Sequence, residues 1–465
     1  PTRLSSDLKN DRDEAGGRGF TSTNFPATAI PNICGCCRDR GFFDQSSLVE
    51  NTNPTPWDVI IIGGALSGGA TACLLRRRNA KLRVLILERS EQLKRRVGES
   101  TVEISAYFLG RVLGLTEHLL QQHIPKQGMR FWFSNDRTQA LDQCSETGPR
   151  YNVRLPGYQV DRAVLDEHVL ANAIAEGTVL YRPVRVRKVT LVPGGAQTVD
   201  WEDANGQPQT SSARWVVDAS GVAAVLARQE GWQQPHTAHP TATCWSRWSG
   251  VRSLDDRSLA TKYPAWANRV QALRSTATNH ITGYGWWAWF IPLKGGDISV
   301  GVVYDQRITE LPAGPNLGER LRTMLNTHAL ARELLADATW QEGDVHFRRN
   351  LAYSSQTYAT DGAVLVGDAA AFIDPFYSPG MDWISFSTSA AVALIDASFR
   401  GKPVAPRVAQ HNANFRLSYE RWFRALYLDK YYYMGDFELM TLAFRLDLGL
   451  YYVGIVAQPD RKSVV

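Results

Sequence analysis

The chain has 465 residues, of which 44% are hydrophobic and 21% charged, and its formal net charge is +5. This composition predicts a globular protein large enough for two joined domains, and the mild charge gives no indication of a nucleic-acid partner. Six scattered cysteines exclude a disulfide framework, so we expect a protein of the reducing cytoplasm. No run approaches the uninterrupted apolar length that a membrane span needs, so we predict no stable span.

Residues 1–56 are rich in polar residues and glycine, and they show no sustained hydrophobic period. We predict a disordered extension here, without the long apolar stretch of a secretory signal. The cluster Cys34–Cys37 lacks a second pair of ligands, so we predict no metal site. Residue 1 is proline and the first methionine is Met129, which indicates a fragment or a misassigned start.

A βαβ pattern begins at Trp57 with a short apolar run, a glycine-rich turn and an apolar-periodic helix. The turn places Gly63, Ala65 and Gly68 at the spacing of the dinucleotide-binding fingerprint, whose glycines permit a tight turn and close approach to a pyrophosphate. Glu88 ends the next strand, where an acidic residue would bind the adenosine ribose. The whole unit predicts nucleotide binding, and the alternative for Glu88 is a charged strand end.

The region after this unit supplies three more candidate site residues. Lys126 precedes a predicted strand in which Phe131 and Trp132 point to opposite faces. Most lysines in such a place are simply solvated. Gln159 and Arg162 flank the start of an amphipathic helix, where both side chains are placed to contact a cofactor.

Three strand-like runs follow that helix, and the last of them ends at Asp218. Asn205-Gly206 predicts a hairpin turn between two of these runs. Gly63, Asp218 and Gly367 are then three strand tips with small residues around them. Parallel strands that meet at one cofactor explain three such tips, so we predict that Asp218 and Gly367 contact it.

Residues 240–349 have the texture of an antiparallel sheet with one helix near 316–336. In the run WAWFIP, the period of two places Trp287 and Trp289 on one face of a strand. By themselves, two tryptophans on one face are typical of an ordinary core.

The segment 363–382, AVLVGDAAAFIDPFYSPGMD, returns the chain to the first domain. An apolar strand leads to Gly367-Asp368, and a Pro-Gly step opens an apolar helix at Met381. Asp368 is placed to accept hydrogen bonds from the ribityl hydroxyls of a flavin, and the helix N-terminus would stabilise negative charge on the reduced ring. An ordinary strand, turn and helix would have the same pattern, so this segment alone leaves both interpretations open.

The motifs GGALSGG, VGEST, VVDASG, VGDAAAFIDP and WAWFIP together resemble the flavin-dependent halogenases, within the glutathione-reductase-type flavin monooxygenases. The resemblance covers about residues 57–455, and WAWFIP is its specific part. It implies an α/β fold with a Rossmann-like FAD-binding domain, an inserted antiparallel β-sheet substrate domain and C-terminal helices. We expect the FAD-binding domain at 57–235 and 350–400, the substrate domain at 236–349 with part of 126–160, and a helical cover at 401–465.

The resemblance also implies a mechanism. A separate NAD(P)H-dependent flavin reductase would deliver FADH2, and its reaction with O2 and chloride or bromide would give hypohalous acid. Trp287 and Trp289 would keep the organic substrate away from the flavin. Lys126 lies in the K-x-G-x-x-F-x-F pattern of members that act on phenols or pyrroles, and it would pass the halogen to an electron-rich ring. Phe131 and Trp132 would desolvate this amine and lower its pKa.

Two positions differ from the pattern of the family. Tyr377 stands where tryptophan halogenases carry a glutamate, so a free tryptophan substrate is not expected. The halide is expected beside Ser378 and Gly380, in the F-x-x-P-x-x-S-x-G pattern that begins at Phe372. Pro379 lies between them and has no N–H, which removes one backbone donor from the expected anion site.

The sequence leaves three functions open. The first is a FADH2- and O2-dependent halogenase of a phenolic or pyrrolic substrate, either free or tethered to a carrier protein. The second is a flavin monooxygenase or oxidoreductase of the same fold that has lost halide use, which Pro379 favours. The third is a non-catalytic flavin- or lipid-binding protein, which Lys126 and the intact cofactor motifs disfavour.

Overall fold

The computed structural model describes residues 56–155 and 157–457, so the predicted extension 1–56 lies outside the described residues except for its last residue. The described part of the chain contains twenty strands and twelve α-helices. The strands are β1 (Trp57–Ile62), β2 (Val84–Leu87), β3 (Ile124–Lys126), β4 (Met129–Phe133), β5 (Ser145–Thr147), β6 (Gly157–Gln159), β7 (Val179–Tyr181), β8 (Arg185–Thr190), β9 (Gln197–Glu202), β10 (Pro208–Asp218), β11 (Gln233–Pro235), β12 (Thr241–Ser249), β13 (Thr278–Gly283), β14 (Trp286–Pro292), β15 (Ile298–Asp305), β16 (Thr339–Trp340), β17 (His346–Arg349), β18 (Tyr353–Ser355), β19 (Ala359–Thr360) and β20 (Ala363–Leu365). The helices are α1 (Leu66–Arg78), α2 (Glu103–Tyr107), α3 (Thr116–Gln122), α4 (Arg162–Ala175), α5 (Val225–Gln229), α6 (Arg257–Lys262), α7 (Pro264–Ala267), α8 (Leu317–Leu325), α9 (Ala329–Leu334), α10 (Gly380–Phe399), α11 (Val404–Trp422) and α12 (Phe437–Tyr451).

The first sheet has eight strands in the order β19-β20-β10-β1-β2-β7, with β9 paired to β10 and β8 paired to β9. Its central strands are parallel. The strand β1 pairs in parallel with β10 on one side and β2 on the other, and β10 pairs in parallel with β20. The central runs VIII, VLIL and AVL are apolar and buried, which is typical of parallel strands covered on both faces. The three predicted strand tips therefore lie at one edge of this sheet. The predicted hairpin at Asn205-Gly206 is also confirmed, since β9 and β10 pair antiparallel on either side of it.

The two faces of the first sheet pack against different parts of the molecule. Val59 and Ile61 share a core with buried side chains of α1, α4 and α10. Ile60 belongs to a different core, which also contains Trp287 and Trp289 of β14 and residues of the C-terminal helices. The second core therefore joins the first sheet to the second one.

The second sheet has the order β16-β12-β15-β14-β13-β4-β5, with β17 paired to β12. Its pairings are antiparallel except for β13 and β4, which run parallel. The predicted alternation along WAWFIP is confirmed, because Trp287 and Trp289 lie in the core shared with the first sheet. Trp286 and Phe290 lie in a third core, on the opposite face, with residues of α8 and α9. The Rossmann-like α/β fold, the inserted antiparallel sheet and the C-terminal helices are thus as predicted.

Two predicted helix boundaries are wrong. The single helix expected near 316–336 is two helices, α8 and α9. His328 separates them, because its Nδ1 accepts a hydrogen bond from the Leu330 amide at 3.2 Å and so caps the start of α9. The helix α10, which packs against the first sheet, begins at Gly380, one residue before the predicted start at Met381.

One helical stretch bears on the expectation that the chain has no stable membrane span. Among the described residues, Phe437–Val456 (20 residues) is long and apolar enough to cross a membrane by length and composition alone, with a mean hydropathy of 1.5 over an 18-residue window. A single such helix is weak evidence for a span and does not overturn the expectation. Only 11% of that window is buried, and Leu442 and Leu446 are more than half exposed. Asp447, in contrast, is buried on the inward side of this helix. The helix is therefore not a buried core helix, and its inward side chains cover a cavity described below.

We expect Gly68→Ala to destabilise the protein, because a Cβ at this position would lie 1.8 Å from the carbonyl oxygen of Gly63. Relief of this clash requires backbone movement, and overpacking of this kind costs about 1–3 kcal/mol. Chemical denaturation would show it as a lower free energy of unfolding. Gly343→Ala is the matched control, because nothing lies within 4 Å of its added Cβ. Equal losses of stability in the two variants would contradict the prediction.

Candidate active site

The turn after β1 brings the backbone close to itself at two glycines. Gly63 has a φ of +99°, and a Cβ on it would lie 2.6 Å from the carbonyl oxygen of Ala219. A Cβ on Gly68 would lie closer still to the Gly63 carbonyl. Ala65 has φ −67° and ψ −171°, an extended conformation that any residue adopts. The alanine therefore replaces the second glycine of the fingerprint without backbone strain.

Glu88 connects the turns that follow β1 and β2. One oxygen of its buried carboxylate accepts a hydrogen bond from the Gly64 amide at 2.7 Å, and the other accepts one from the Ser90 amide at 2.8 Å. The adjacent helix α1 begins with no side-chain cap and no acidic residue in its first turn. Its free N–H groups and the positive end of its dipole are therefore available to an anion such as a pyrophosphate.

A first cavity, with an empty volume of about 1290 Å³, opens at the loop that follows β20. Asp368 lines it directly after β20, and its side chain is half-buried. Burial raises the pKa of this carboxyl, while the charge of Arg162 opposes the shift. Arg162 also lines the cavity, and Asp166 holds its guanidinium with hydrogen bonds of 2.9 and 3.1 Å. Asp368 thus presents a hydrogen-bond acceptor to the cavity, and Arg162 presents a fixed cation.

Trp287 and Trp289 form one side of the first cavity. The indole N–H of Trp287 donates to the hydroxyl of Tyr431 at 2.9 Å, and that of Trp289 donates to the hydroxyl of Ser299 at 3.2 Å. Because both rings are buried and both polar atoms are satisfied, their orientations are well defined.

The residues that hold Trp287 were missed by the sequence analysis. Tyr431 donates to a carboxylate oxygen of Asp374 at 2.9 Å, and the same oxygen contacts His239 Nε2 at 2.8 Å. These three side chains are buried, and they come from the loop before β12, the loop before α10 and the C-terminal segment. No spacing in the sequence relates them, so pattern analysis had no means to find this network.

Three other predicted cofactor contacts lie outside the lining of the first cavity. Gln159 is buried and its amide donates to Thr278 at 2.8 Å. Asp218 is buried and accepts two backbone N–H groups of the loop that follows it. Gly367 has a φ of +57°, and its N–H donates to Ser387 at 2.9 Å. In this structure the three residues shape the strand ends around the cavity.

The predicted halide residues lie where the FIDPFYSPG loop meets α10. Ser378 and Gly380 both line the first cavity, and a Cβ added to Gly380 would meet no atom within 4 Å. The Ser378 amide is already bonded to the Pro375 carbonyl at 2.9 Å. Pro379 occupies the N-cap position of α10 and has no N–H. Open space and a helix N-terminus are therefore present at Gly380, with fewer backbone donors than expected.

A second cavity, with an empty volume of about 1460 Å³, contains the amine of Lys126. This side chain is only 2% exposed, and its Nζ donates to Ser100 Oγ at 2.8 Å and to the Thr101 carbonyl at 2.9 Å. Burial lowers the pKa of Lys126 to about 8, although Glu103 and Asp382 oppose the shift. When the amine is neutral, its two N–H groups donate to these two acceptors, and its lone pair is directed toward the cavity.

The expectation that Trp132 helps to desolvate Lys126 is wrong. Trp132 lies in the core on the far face of the second sheet, and its indole donates to Asn279 at 2.9 Å. Phe131, on the opposite face, packs on Phe444, which lines the second cavity. The period-two alternation of β4 separates Phe131 from Trp132, so only one of them faces this side.

The two cavities share a boundary. Pro379 lines both of them, and Ser100 lines the first cavity while it accepts the hydrogen bond of Lys126 from the second. Thr101, the next residue, lines the second cavity. Two short loops, one before α2 and one before α10, thus separate the amine from the first cavity.

The sequence analysis also missed titratable groups in the second cavity. Asp382, in the first turn of α10, accepts the Ser105 amide at 2.9 Å, and burial raises its pKa to about 7. Asp447 lines the same cavity and forms a buried ion pair with Lys430. The feature of the sequence that could have identified Asp447 was a charged residue on the inward side of a largely apolar helix.

The residues present fit the FAD that the resemblance implies. The uncapped N-terminus of α1 suits the pyrophosphate, and Glu88 lies at the turn where a ribose is expected. Asp368 presents a carboxylate to the first cavity without a side-chain hydrogen bond from any described residue. The tryptophans beside it provide an apolar surface for a flat ring. The residues that line the first cavity therefore fit a flavin ring.

We expect the amine of Lys126 to titrate near pH 8, because burial disfavours its charged form. An NMR titration of isotope-labelled lysine would show this, with Lys126→Met identifying the resonance. The folded pKa is below the ordinary lysine value of 10.5, so the unfolded state binds more protons between these two pKa values. The stability contributed by this residue should therefore rise with pH over that interval. A Lys126 resonance that titrates only near the ordinary value would contradict the prediction.

Comparison with known proteins gives consistent matches. The tryptophan halogenase family model matches residues 58–153 and 142–434. The flavin-dependent halogenase ChlA of Dictyostelium discoideum is 30% identical over 373 residues, which are 73% of this chain and 60% of ChlA. The flavin-dependent halogenase ArmH3 of Armillaria mellea is 26% identical over 80% of this chain and 74% of its own length. The chain thus spans less than two thirds of the length of ChlA.

Solved structures agree on the fold. Halogenase PltM matches with a TM-score of 0.73 at 20% identity, over 85% of this chain and 80% of PltM. The myxobacterial chondrochloren halogenase CndH matches with a TM-score of 0.68 at 22% identity, over 85% of this chain and 90% of CndH. These identities are low, so the structural matches bear on the fold alone. The family model covers most of the chain, and the protein therefore belongs to the tryptophan halogenase family, in which FAD is the cofactor.

Proposed function

We propose that this protein halogenates an electron-rich aromatic substrate, phenolic or pyrrolic, using FADH2, O2 and chloride or bromide. A separate NAD(P)H-dependent flavin reductase would supply the reduced cofactor, and the substrate would arrive free or tethered to a carrier protein. The observation that carries the proposal is a buried amine, Lys126, in a cavity adjoining the one whose residues fit FAD. The named relatives ChlA and ArmH3 support the same chemistry.

The chain would hold the two halves of the reaction apart. Bound FAD, once reduced, would supply the chemistry by which O2 oxidises halide to hypohalous acid. Trp287 and Trp289, fixed by their hydrogen bonds, would keep an aromatic substrate out of the first cavity. Oxygen would then not be transferred directly to the ring, and only a small oxidant would pass the boundary at Pro379.

Lys126 would receive the halogen in the second cavity. Its lowered pKa makes the neutral amine accessible near physiological pH, and the two hydrogen bonds of Nζ direct the lone pair away from Ser100 and Thr101. A neutral amine can hydrogen-bond hypohalous acid or form a haloamine with loss of water. Either species delivers the electrophile to a ring in the same cavity, and the ring loses a proton.

Halide would bind at the start of α10, beside Ser378 and Gly380. The amide groups of the first helical turn lack intrahelical acceptors, and the helix dipole favours an anion there. Pro379 contributes no N–H, and the Ser378 amide is already bonded. We therefore propose a halide site that depends mainly on Gly380 and the amides after it.

A flavin monooxygenase or oxidoreductase that has lost halide use is the second candidate. The observation that favours it is Pro379 at the N-cap of α10, because a lost donor weakens any anion bound there. Mass spectrometry of products from the protein, FAD, a flavin reductase, NADH and a phenol separates the two candidates. The halogen isotope pattern supports halogenation, and hydroxylated product at every halide concentration supports the second candidate.

We expect Lys126→Ala and Lys126→Arg to lower the yield of halogenated product by roughly a hundredfold or more, because neither offers a neutral amine. FAD affinity and O2 consumption should stay within about twofold of wild type, since Lys126 lines the second cavity only. Product mass spectrometry and an oxygen electrode give the two quantities. Lys294→Ala, in an exposed turn, is the control. Parallel loss of product and O2 consumption would show that Lys126 is structural.

We expect Pro379→Ser and Pro379→Ala to lower the halide concentration for half-maximal rate by about tenfold. Each restores one backbone N–H, and a hydrogen bond to a charged group is worth roughly 1.5–3 kcal/mol. The two variants should agree, because the backbone and not the side chain is responsible. Steady-state rates against chloride and bromide would measure the effect. Unchanged halide dependence in both variants would remove Pro379 from the halide site.

A further inference from the structure

Asp447, which lines the second cavity, is paired with a buried lysine that the proposed reaction does not use. Lys430 is only 2% exposed, and its Nζ forms an ion pair with Asp447 Oδ2. The hydroxyl of Tyr377 donates to the same oxygen at 2.8 Å, and Lys430 Nζ lies 3.4 Å from that hydroxyl. The Lys430 amine, the Tyr377 hydroxyl and the Asp447 carboxylate therefore lie in contact with one another. Because the cluster is buried, a group that lacked a hydrogen-bond partner would lower the stability of the fold.

The cluster faces the cavity from the side of α12 and the FIDPFYSPG loop. Asp447 and Tyr377 both line the second cavity, together with Lys126. Both donors of the cluster reach Asp447 Oδ2, whereas no described residue donates a hydrogen bond to Asp447 Oδ1. One oxygen of a buried, ion-paired carboxylate thus remains for a donor inside the cavity.

Both partners donate hydrogen bonds to this carboxylate. Burial raises the pKa of Tyr377 well above its ordinary value, so its hydroxyl stays protonated and donates. Burial lowers the pKa of Lys430, and the neighbouring charge of Asp447 opposes that shift. A carboxylate held by an ammonium group and a hydroxyl is a strong acceptor for a third donor.

We propose that Asp447 Oδ1 accepts a hydrogen bond from an aromatic hydroxyl group, which makes the second cavity a recognition site for hydroxyarenes. This inference rests on the proposed halogenation and narrows its substrate class from phenols or pyrroles to phenols. A phenol that donates to a carboxylate also gains electron density on its ring, at the carbons that electrophilic halogenation attacks. The same contact would thus orient the ring and activate it.

The other carboxylates of the cavity are less suited to this contact. Asp382 already accepts the Ser105 amide, and burial raises its pKa to about 7, so it is partly protonated at neutral pH. Glu103 accepts the hydroxyl of Tyr452 at 2.5 Å. Asp447 alone combines an ion pair on one oxygen with an available second oxygen.

Binding of resorcinol and of its dimethyl ether tests the inference without halide or reductase. Titration calorimetry on the full chain loaded with oxidised FAD should show resorcinol binding at least about tenfold more tightly than the ether. In Asp447→Asn the amide oxygen would face Lys430 and Tyr377, leaving an NH2 donor toward the cavity. This variant should therefore lose the preference for resorcinol. Asp337→Asn, on an exposed carboxylate, is the matched control and should keep it.

A second variant covers the case in which Asp447→Asn fails to fold because Lys430 is left unpaired. The double substitution Lys430→Met with Asp447→Leu removes both charges and should fold, yet show the same loss of preference. Equal affinities of wild type for the two ligands, no measurable resorcinol binding, or an unchanged preference in the folded variants would overturn the inference. Selective resorcinol binding without any halogenated product would instead refute the proposed halogenation and leave this site standing.

Discussion

The loop between β20 and α10 is the constraint on which both cavities depend. Tyr377 and Ser378 have φ values of +69° and +59°, a left-handed conformation that costs a non-glycine residue on the order of 1 kcal/mol. Asp374 holds the start of this loop through the Phe376 amide and Tyr431, and the ion-paired Asp447 holds the Tyr377 hydroxyl. The strained turn therefore persists because buried polar groups hold it at both ends. It directs Ser378 toward the first cavity and Tyr377 toward the second.

Two buried lysines, Lys126 in the lining of the second cavity and Lys430 paired with Asp447 of that lining, have surroundings that differ in a way that matters for chemistry. No carboxylate of the described residues lies within ion-pair distance of Lys126, so desolvation dominates and lowers its pKa to about 8. Lys430 has Asp447 directly against its amine, which compensates part of the cost of burial. The amine of Lys126 thus loses its proton more readily than an exposed lysine does, whereas the carboxylate of Asp447 opposes the same loss at Lys430. The difference arises because Lys126 donates to the neutral oxygens of Ser100 and Thr101, whereas Lys430 is paired with the carboxylate of Asp447.

Separation of two cavities by a thin boundary is consistent with chemistry that must keep an oxidant source and a ring apart. Trp287 is fixed from behind by Tyr431, so the apolar side of the first cavity is coupled to the C-terminal segment. The same segment supplies Asp447 to the second cavity. A single C-terminal cover therefore participates in both sites.

Much of the fold was accessible from the sequence because it depends on local periodicity and on residues with special backbone freedom. The glycine turn after β1, the hairpin at Asn205-Gly206 and the alternation of Trp287 and Trp289 with Trp286 all follow from such rules. The assignment of Lys126 as a candidate came from a motif, and its partners Ser100 and Thr101 were not visible there. Tertiary packing alone decided that the face of β4 with Phe131, and not the face with Trp132, lies toward the second cavity, that Asp218 bonds its own loop, and that Lys430, Asp447 and Tyr377 form one cluster. These contacts join residues that are distant in the chain, and their energies depend on desolvation, which a linear pattern of residue types does not encode.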